Sequence, residues 1–239
     1  MSGQSGSSTT GSGSRDGASG ADRYDSDVVS DAQVDGSSRQ ERKERTRQAI
    51  LSSALTLSAE TGLAAVSLRQ VAKEVGIVPT AFYRHFGSIE ELGLVLVDDS
   101  FVSLRAMLRD VRREPALDGV IPNSVLVLVE HVRRQHEHFR FIARERTGGS
   151  APVRAAIRHE LDLCERDLAT DIARLPGTQE WSPEDLQTLS ELIVNVMVST
   201  AEKILNTPRR AAAEAEVVHV AQTQLRMLVI GALNWRSKS

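Results

Sequence analysis

The sequence predicts an all-α fold, and three observations support this. Apolar residues recur at helical spacing along most of the 239 residues, and no segment shows the alternation of a strand. Capping residues and Pro or Gly breakers divide the chain into successive helices. Residues 1–38, in contrast, hold 11 Ser and 7 Gly and almost nothing apolar. That composition predicts a disordered acidic tail, followed by a helical protein.

A basic helix start comes first after the tail. Residues 39–47, RQERKERTR, contain five Arg or Lys against two Glu. An apolar stripe begins at Ile50 on the same helix, and Gly62 ends it. A basic start followed by an amphipathic body suits docking beside a phosphate backbone. A solvated, charged helix end is the alternative.

Two short helices joined by a tight turn follow in residues 67–86. Ser67 and Gln70 fit a capping box that begins the first, and Gly76 can adopt the left-handed conformation that ends it. Pro79 is tolerated near the start of the second. This arrangement predicts a helix-turn-helix, which places its second helix in the major groove of DNA. An ordinary helical hairpin is the alternative.

Caps and breakers also delimit the later helices. Ser88 with Glu91, and Ser182 with Pro183, are helix starts, and Thr207-Pro208 has the pattern of another. We expect the following helices: Ser88 to about Arg113, about Pro122 to His136, a short one ending at Gly148, Pro152 to about Leu175, one from Ser182, and a last one from Thr207 to about Trp235.

No motif for catalysis or for a metal site is present. His131, His136 and His138 are not spaced to share one helix face, and HExxH is absent. The chain also lacks a GxSxG elbow, a P-loop and a dinucleotide fingerprint. The single cysteine, Cys164, excludes an internal disulfide. We therefore expect no catalytic residue, metal or cofactor. With no spanning apolar run and no secretory signal, we expect a cytoplasmic protein.

The stretch TRQAILSSALTLSAETGLAAVSLRQVAKEVGIVPTAFYRHFGSIEEL resembles the N-terminal domain of TetR-family transcriptional regulators. The resemblance implies a DNA-binding domain over residues 39–87 and a TetR-like ligand-binding and dimerisation domain over residues 88–239. The resemblance also implies a transcriptional regulator, such as a repressor, that binds double-stranded operator DNA. One position departs from the family, because Ile89 stands where many members have a Lys that contacts a phosphate.

The resemblance also implies roles for residues at the DNA. Tyr83 and His85 follow the phosphate-contacting pattern of the family, and Arg69 could reach a base or a phosphate. Residues 78–81 are placed to touch base edges. The expected DNA-binding set is Arg45, Thr46, Ser67, Arg69, Val78, Pro79, Thr80, Ala81, Tyr83, Arg84 and His85. The acidic tail either tempers nonspecific DNA binding or is an inert solubilising segment.

A narrower resemblance concerns the segment ELGLVLVDDS and residues 144–161, RERTGGSAPVRAAIRHEL. Both are similar to the FabR/DesT branch of the family, whose members regulate fatty-acid synthesis and desaturation and sense long-chain acyl-CoA. The resemblance implies a regulator of lipid metabolism with a long-chain acyl-CoA as effector. The alternative is a regulator of efflux or another pathway that answers to an unrelated hydrophobic molecule.

The C-terminal helices supply enough apolar side chains for an acyl tunnel, although plain core must include most of them. Arg140, Arg144 and Arg146 could pair with CoA phosphates or form solvent-facing salt bridges. The expected ligand-binding set is Phe101, Leu104, Leu108, Leu126, Val129, Phe139, Phe141, Ile142, Arg144, Ile157 and Leu161.

The last two helices predict a homodimer. Residues 192–198, LIVNVMV, are apolar on nearly every face, which is typical of a helix buried on all sides. A matching stripe follows on the last helix: Val217, Val218, Ala221, Leu225, Leu228, Val229 and Ala232. Two helices from each subunit would form a four-helix interface. A central core helix in a monomer is the alternative.

Overall fold

The computed structural model describes the backbone of residues 26–111 and 117–236, and the side chains of residues 38–102, 104–105 and 121–236. No strand occurs in these ranges, which confirms the all-α prediction. The elements are α1 (Ser26–Thr61), a 3₁₀ turn (Leu63–Ala65), α2 (Leu68–Val75), α3 (Pro79–Phe82), α4 (Ile89–Val111), α5 (Leu117–Arg134), α6 (His136–Gly148), α7 (Ala151–Ile172), α8 (Pro183–Asn206) and α9 (Ala211–Leu233).

The chain divides into two compact units, Met1–Arg45 and Thr46–Ser239. In the first unit, α1 begins at Ser26, so residues 26–38 are helical and not disordered as the composition suggested. This segment contains no Pro, and extending an existing helix adds a hydrogen bond per residue without a new nucleation step. Composition alone therefore placed the helix start too late. The rest of the expected tail, residues 1–25, lies outside the described residues.

The largest apolar core of the second unit joins its N-terminal helices to α6 and α7. Ile50 of α1, Phe82 of α3 and Phe101 of α4 are fully buried in one cluster with Phe141 of α6 and Ile157 of α7. The cluster therefore crosses residue 87, where we expected a division between domains. Such a continuous core allows α6 and α7 to position the N-terminal helices directly.

Two smaller apolar clusters hold α5, α8 and α9 together. One contains Val129 and Ile204, and the other is built around Val125 and Leu225. Side chains between them, such as Met197, contact both clusters. The three helices are thus connected through one apolar layer.

Two further helix boundaries differ from the prediction. Helix α5 begins at Leu117, and Pro122 lies inside it. Thr207 ends α8: its amide donates to the Ile204 carbonyl and its hydroxyl to the Lys203 carbonyl, at 3.2 and 2.6 Å. The Thr-Pro pair therefore closes one helix and does not open the next, which begins at Ala211. A Thr hydroxyl can bond a carbonyl four residues back as well as an amide ahead, so the pair alone does not give a direction.

Candidate DNA-binding site and effector region

The helix-turn-helix forms as its capping residues predict. The Ser67 hydroxyl accepts a hydrogen bond from the Gln70 amide at 3.2 Å and caps α2. Gly76 has φ of 73°, the left-handed conformation that a Cβ disfavours, and it ends α2. Pro79 occupies the first turn of α3. These local devices fix the angle between the two short helices.

The outer face of the helix-turn-helix carries unusually exposed large side chains. Val78 is 65% exposed and Tyr83 is 62% exposed, and Thr80 and Arg84 beside them are also exposed. The inner face is anchored by Phe82 in the core. An exposed apolar and aromatic face on a rigid element is typical of a binding surface. Most of the predicted DNA-contacting residues in and beside α3 are thus accessible to a partner.

The other predicted DNA-contacting residues differ in accessibility. Pro79, Ser67 and Arg69 are exposed, whereas Ala81, His85 and Thr46 are only partly accessible. Arg45 is exposed and belongs to the first unit. Ile89, which stands where many members of the family have a phosphate-contacting Lys, packs against the apolar core. An apolar side chain in that position cannot make the phosphate contact.

Arg47 fixes the end of the recognition segment, a role that the sequence analysis missed. Its Nη1 donates to the His85 carbonyl at 3.1 Å, and its guanidinium lies 4.3 Å from the centroid of the Phe86 ring. Helical spacing could have revealed this, because Arg47 precedes the buried Ile50 and Ala54 by three and seven residues. Arginine on an apolar face with an aromatic ring opposite favours a cation–π contact.

The predicted ligand-binding residues divide between two separate clusters. Five of them belong to the cluster shared with the N-terminal helices: Phe101, Phe141, Ile142, Ile157 and Leu161. Two belong to the cluster of α5 and α8: Val129 and Phe139. Leu104 contacts both, and the side chain of Leu108 lies outside the described residues. Leu104 is therefore the described link between the two apolar regions.

The prediction for Leu126 was wrong, because this side chain is 53% exposed. The buried face of α5 is formed by Val125, Leu128, Val129 and Val132. These residues have the spacing of one helix face, and Leu126 lies one residue off it. It cannot line an internal tunnel from that position in this subunit.

Two of the three arginines considered for CoA phosphates bind within the protein. Arg144 donates from Nη1 to the Glu60 carbonyl at 2.7 Å and contacts the Ala59 carbonyl at 3.4 Å. Arg146 pairs with Glu202 of α8 at 2.8 Å. Arg140 is exposed, and among the described residues it has no hydrogen bond or ion pair. Arg144 and Arg146 thus already have partners within the subunit.

A cleft of about 710 Å³ lies between α1, α4, the turn between α5 and α6, and Arg209. Its apolar floor comes from side chains such as Leu51 and Leu96, and its basic wall includes Arg133 and His136. Burial lowers the pKa of His136, and the neighbouring arginines lower it further. Arg133 is paired with Glu214 at 2.9 Å, whereas Arg209 has no such partner among the described residues. The lining also includes the acidic Asp99 and Glu137, so the cleft combines an apolar surface with charges of both signs.

The expected dimerisation stripe of α9 packs largely inside the subunit. Ala221 and Leu225 are buried, and Val217, Val218 and Leu228 pack against the same clusters. The apolar side chains on the outer side are Met227, Ile230 and Leu233, the last 78% exposed. Intramolecular packing buries one face of this apolar helix, and the opposite face stays exposed.

The described residues contain no cluster of His, Cys, Asp and Glu that could hold a metal ion. In the same part of the chain, no helix is long and apolar enough to cross a membrane. The described part of the chain is thus helical and contains a helix-turn-helix.

Comparison with known proteins shows one matching family domain and a shared fold. Residues 50–94 match the family described as bacterial regulatory proteins, tetR family. A protein assigned to the TetR family from Syntrophomonas wolfei has a similar structure, with a TM-score of 0.64 and 17% identity over 81% of this chain and 99% of the other. A transcriptional regulator from Rhodococcus sp. Rha1 matches with a TM-score of 0.61 and 19% identity over 80% and 99%. The fatty acid degradation regulator FadR from Bacillus halodurans matches with a TM-score of 0.58 and 14% identity over 80% and 97%.

Residues 50–94 therefore carry a domain of the tetR family of bacterial regulatory proteins, and the fold of the chain is similar to that of solved transcriptional regulators. The matched residues run from Ile50 of α1 to Leu94 of α4 and include both helices of the helix-turn-helix. Regulators of this family act by binding operator DNA and are not enzymes.

Proposed function

We propose that this TetR-family regulator binds a two-half-site operator as a homodimer, and that a long-chain acyl-CoA modulates its operator affinity. The exposed face around Val78 and Tyr83 carries the DNA-binding part of the proposal. Tyr83 and His85 contact phosphates, and Val78 and Thr80 contact base edges through apolar and thymine-methyl interactions. Phosphate contacts position the domain, and base contacts give sequence preference.

The proposed dimer uses the outer face of α9. Met227, Ile230 and Leu233 are three residues apart and more than half exposed, which leaves an apolar stripe without a partner in the subunit. A two-fold interface places the same stripe of both subunits together. Two helix-turn-helix domains then face successive half-sites of one operator.

Two observations favour an acyl-CoA as effector. Residues 144–161 resemble the FabR/DesT branch, and a fatty acid degradation regulator is among the proteins with a similar fold. The acyl tail would occupy the apolar region near Leu104, which contacts both clusters. The anionic head would occupy the cleft beside Arg209, because Arg144 and Arg146 are already bound to other groups. The runner-up effector is an unrelated hydrophobic molecule.

A titration of acyl-CoAs of increasing chain length, with operator binding as the readout, tests the effector. Each buried methylene contributes about 0.8 kcal/mol, so the response should strengthen with length until the site is full. Longer chains should then overpack the site and reverse the trend. The acyl-CoA should act at lower concentration than the free acid, because its phosphates form charge-assisted hydrogen bonds.

Matched variants locate the head group. Arg209→Ala should weaken the response to acyl-CoA and leave the response to the free acid unchanged. Arg140→Ala is the control, since this arginine is also exposed but lies outside the cleft. An equal response at every chain length would favour the runner-up effector instead.

A further inference from the structure

Helix α6 contacts the end of α1 and the following turn at three points. The Thr56 hydroxyl donates to Oε1 of Glu137 at 3.2 Å. One turn later on α1, the Glu60 carbonyl accepts from Arg144. Beyond the helix end, the Leu63 amide donates to Oε1 of Glu145 at 2.8 Å. All three contacts tie α6 to the segment that leads into the helix-turn-helix.

The contact made by Glu145 is buried. This side chain is 2% exposed, and its Oε2 has no hydrogen-bond partner among the described residues. A carboxylate in such a position is unfavourable unless its bonds are well formed, so the bond to Leu63 constrains it strongly. The neighbouring Arg144 side chain donates hydrogen bonds to carbonyls at the end of α1. The last carbonyls of a helix have no amide donor within the helix.

The end of α6 is closely packed around this carboxylate. The Gly149 amide donates to the Glu145 carbonyl at 3.0 Å. A Cβ on Gly149 would stand 2.6 Å from that carbonyl oxygen and 2.8 Å from Oε2. A Cβ on the preceding Gly148 would meet nothing within 4 Å. The two neighbouring glycines therefore differ sharply in their freedom to accept a side chain.

Leu63 passes the constraint on to the DNA-binding helices. Its side chain is buried in the shared core and lies directly against Gly93 of α4, where a Cβ would collide with it. Its 3₁₀ turn ends at Ala65, two residues before Ser67, which caps α2. A displacement of α6 at Glu145 would thus reach the start of the helix-turn-helix through Leu63 and the short 3₁₀ turn.

We propose that Arg144 and Glu145 are positioning residues for operator binding, which hold the corner between α1 and the 3₁₀ turn against α6. Through this corner, the position of α6 sets the position of α2 and α3. The pair touches neither DNA nor effector in this proposal. Its effect is on the relative affinity for operator and for nonspecific DNA, because base contacts require a more exact placement of the recognition surface than the electrostatic attraction that dominates nonspecific binding.

The test compares two pairs of variants of the full chain. Gly149→Ala displaces Glu145 without removing it, and Gly148→Ala is its control. Glu145→Met removes the acceptor at similar volume, whereas Glu145→Gln keeps an oxygen for the Leu63 amide. Operator duplexes are selected from a random pool with the wild-type protein, and affinities for operator and for a scrambled duplex are measured by fluorescence anisotropy.

We expect Gly149→Ala and Glu145→Met to bind the operator about tenfold more weakly, with nearly unchanged affinity for the scrambled duplex. Gly148→Ala and Glu145→Gln should stay within about twofold of the wild type on both duplexes. Arg144→Ala changes an exposed side chain and replaces the buried variants if these do not fold. It should show the same selective loss of operator affinity. Helical content and oligomeric state are measured in parallel for every variant.

Folded variants with wild-type preference for the operator would overturn the proposal, as would a parallel loss on both duplexes. Amide exchange adds an independent readout, because the Leu63 amide should lose protection in Glu145→Met and keep it in Glu145→Gln. A palmitoyl-CoA titration of the wild type is kept separate. Absence of a palmitoyl-CoA effect would count against the proposed effector, while the operator preference of the variants would still decide the role of the pair.

Discussion

Replacing Arg47 by alanine should destabilise the helix-turn-helix and weaken operator binding. The change removes a hydrogen bond from a charged donor to the His85 carbonyl and a cation–π contact with Phe86. The first contributes about 1.5 kcal/mol, and the second about 0.5 kcal/mol at a partly exposed site. Together they predict a loss of about 2 kcal/mol in the free energy of unfolding. Arg47→Lys keeps the charge but not the planar donor, so it should recover only part of this loss.

Urea unfolding, followed by circular dichroism, measures the stability effect. All variants are compared at one protein concentration, because the proposed dimer would make apparent stability depend on concentration. Arg45→Ala is the control for stability, since this arginine is exposed and, among the described residues, has no hydrogen bond or ion pair. A change below about 0.5 kcal/mol in Arg47→Ala, equal to that of the control, would refute the assigned role.

Three further predictions concern DNA contacts, the dimer and pH. Tyr83→Phe should weaken binding by a similar factor on all duplexes, whereas Thr80→Ala should change the preference at particular base pairs. Binding to a duplex library distinguishes the two effects. A changed sequence preference in Tyr83→Phe would contradict its assignment as a phosphate contact. Ile230→Asp should dissociate the dimer in sedimentation experiments. Leu126→Asp is the control and should not, although both side chains are exposed and apolar. Equal behaviour of the two variants would argue against the α9 interface. Burial lowers the pKa of His138, partly offset by Asp99 and Glu137, so the unfolded chain binds the proton more readily. Stability should therefore decrease as the pH falls below the ordinary histidine value of 6.5, and the decrease should be smaller in His138→Gln when urea unfolding is repeated across pH.

The local features of the fold were predictable from the sequence. The Ser67 hydroxyl accepts a hydrogen bond from the amide three residues ahead. Ser88 and Ser182 do the same, as their helix-capping patterns predict. Gly76 has the left-handed conformation expected at the end of α2. Such features depend on residues within one helical turn, so their physical cause is present in the sequence itself. The helix-turn-helix and the family resemblance depend on them.

Tertiary structure alone decided which face of each apolar helix is buried. Leu126 and the outer side of α9 are exposed because neighbouring helices pack against other faces, and periodicity does not say which neighbour is present. The same holds for Arg47 and Glu145, whose partners are 38 and 82 residues away along the chain. The sequence by itself determined the helices and the DNA-binding motif, because these depend on short-range geometry. The exposed interfaces and the contacts between α6 and the α1 corner depend on how distant segments meet, and only the folded chain determines that.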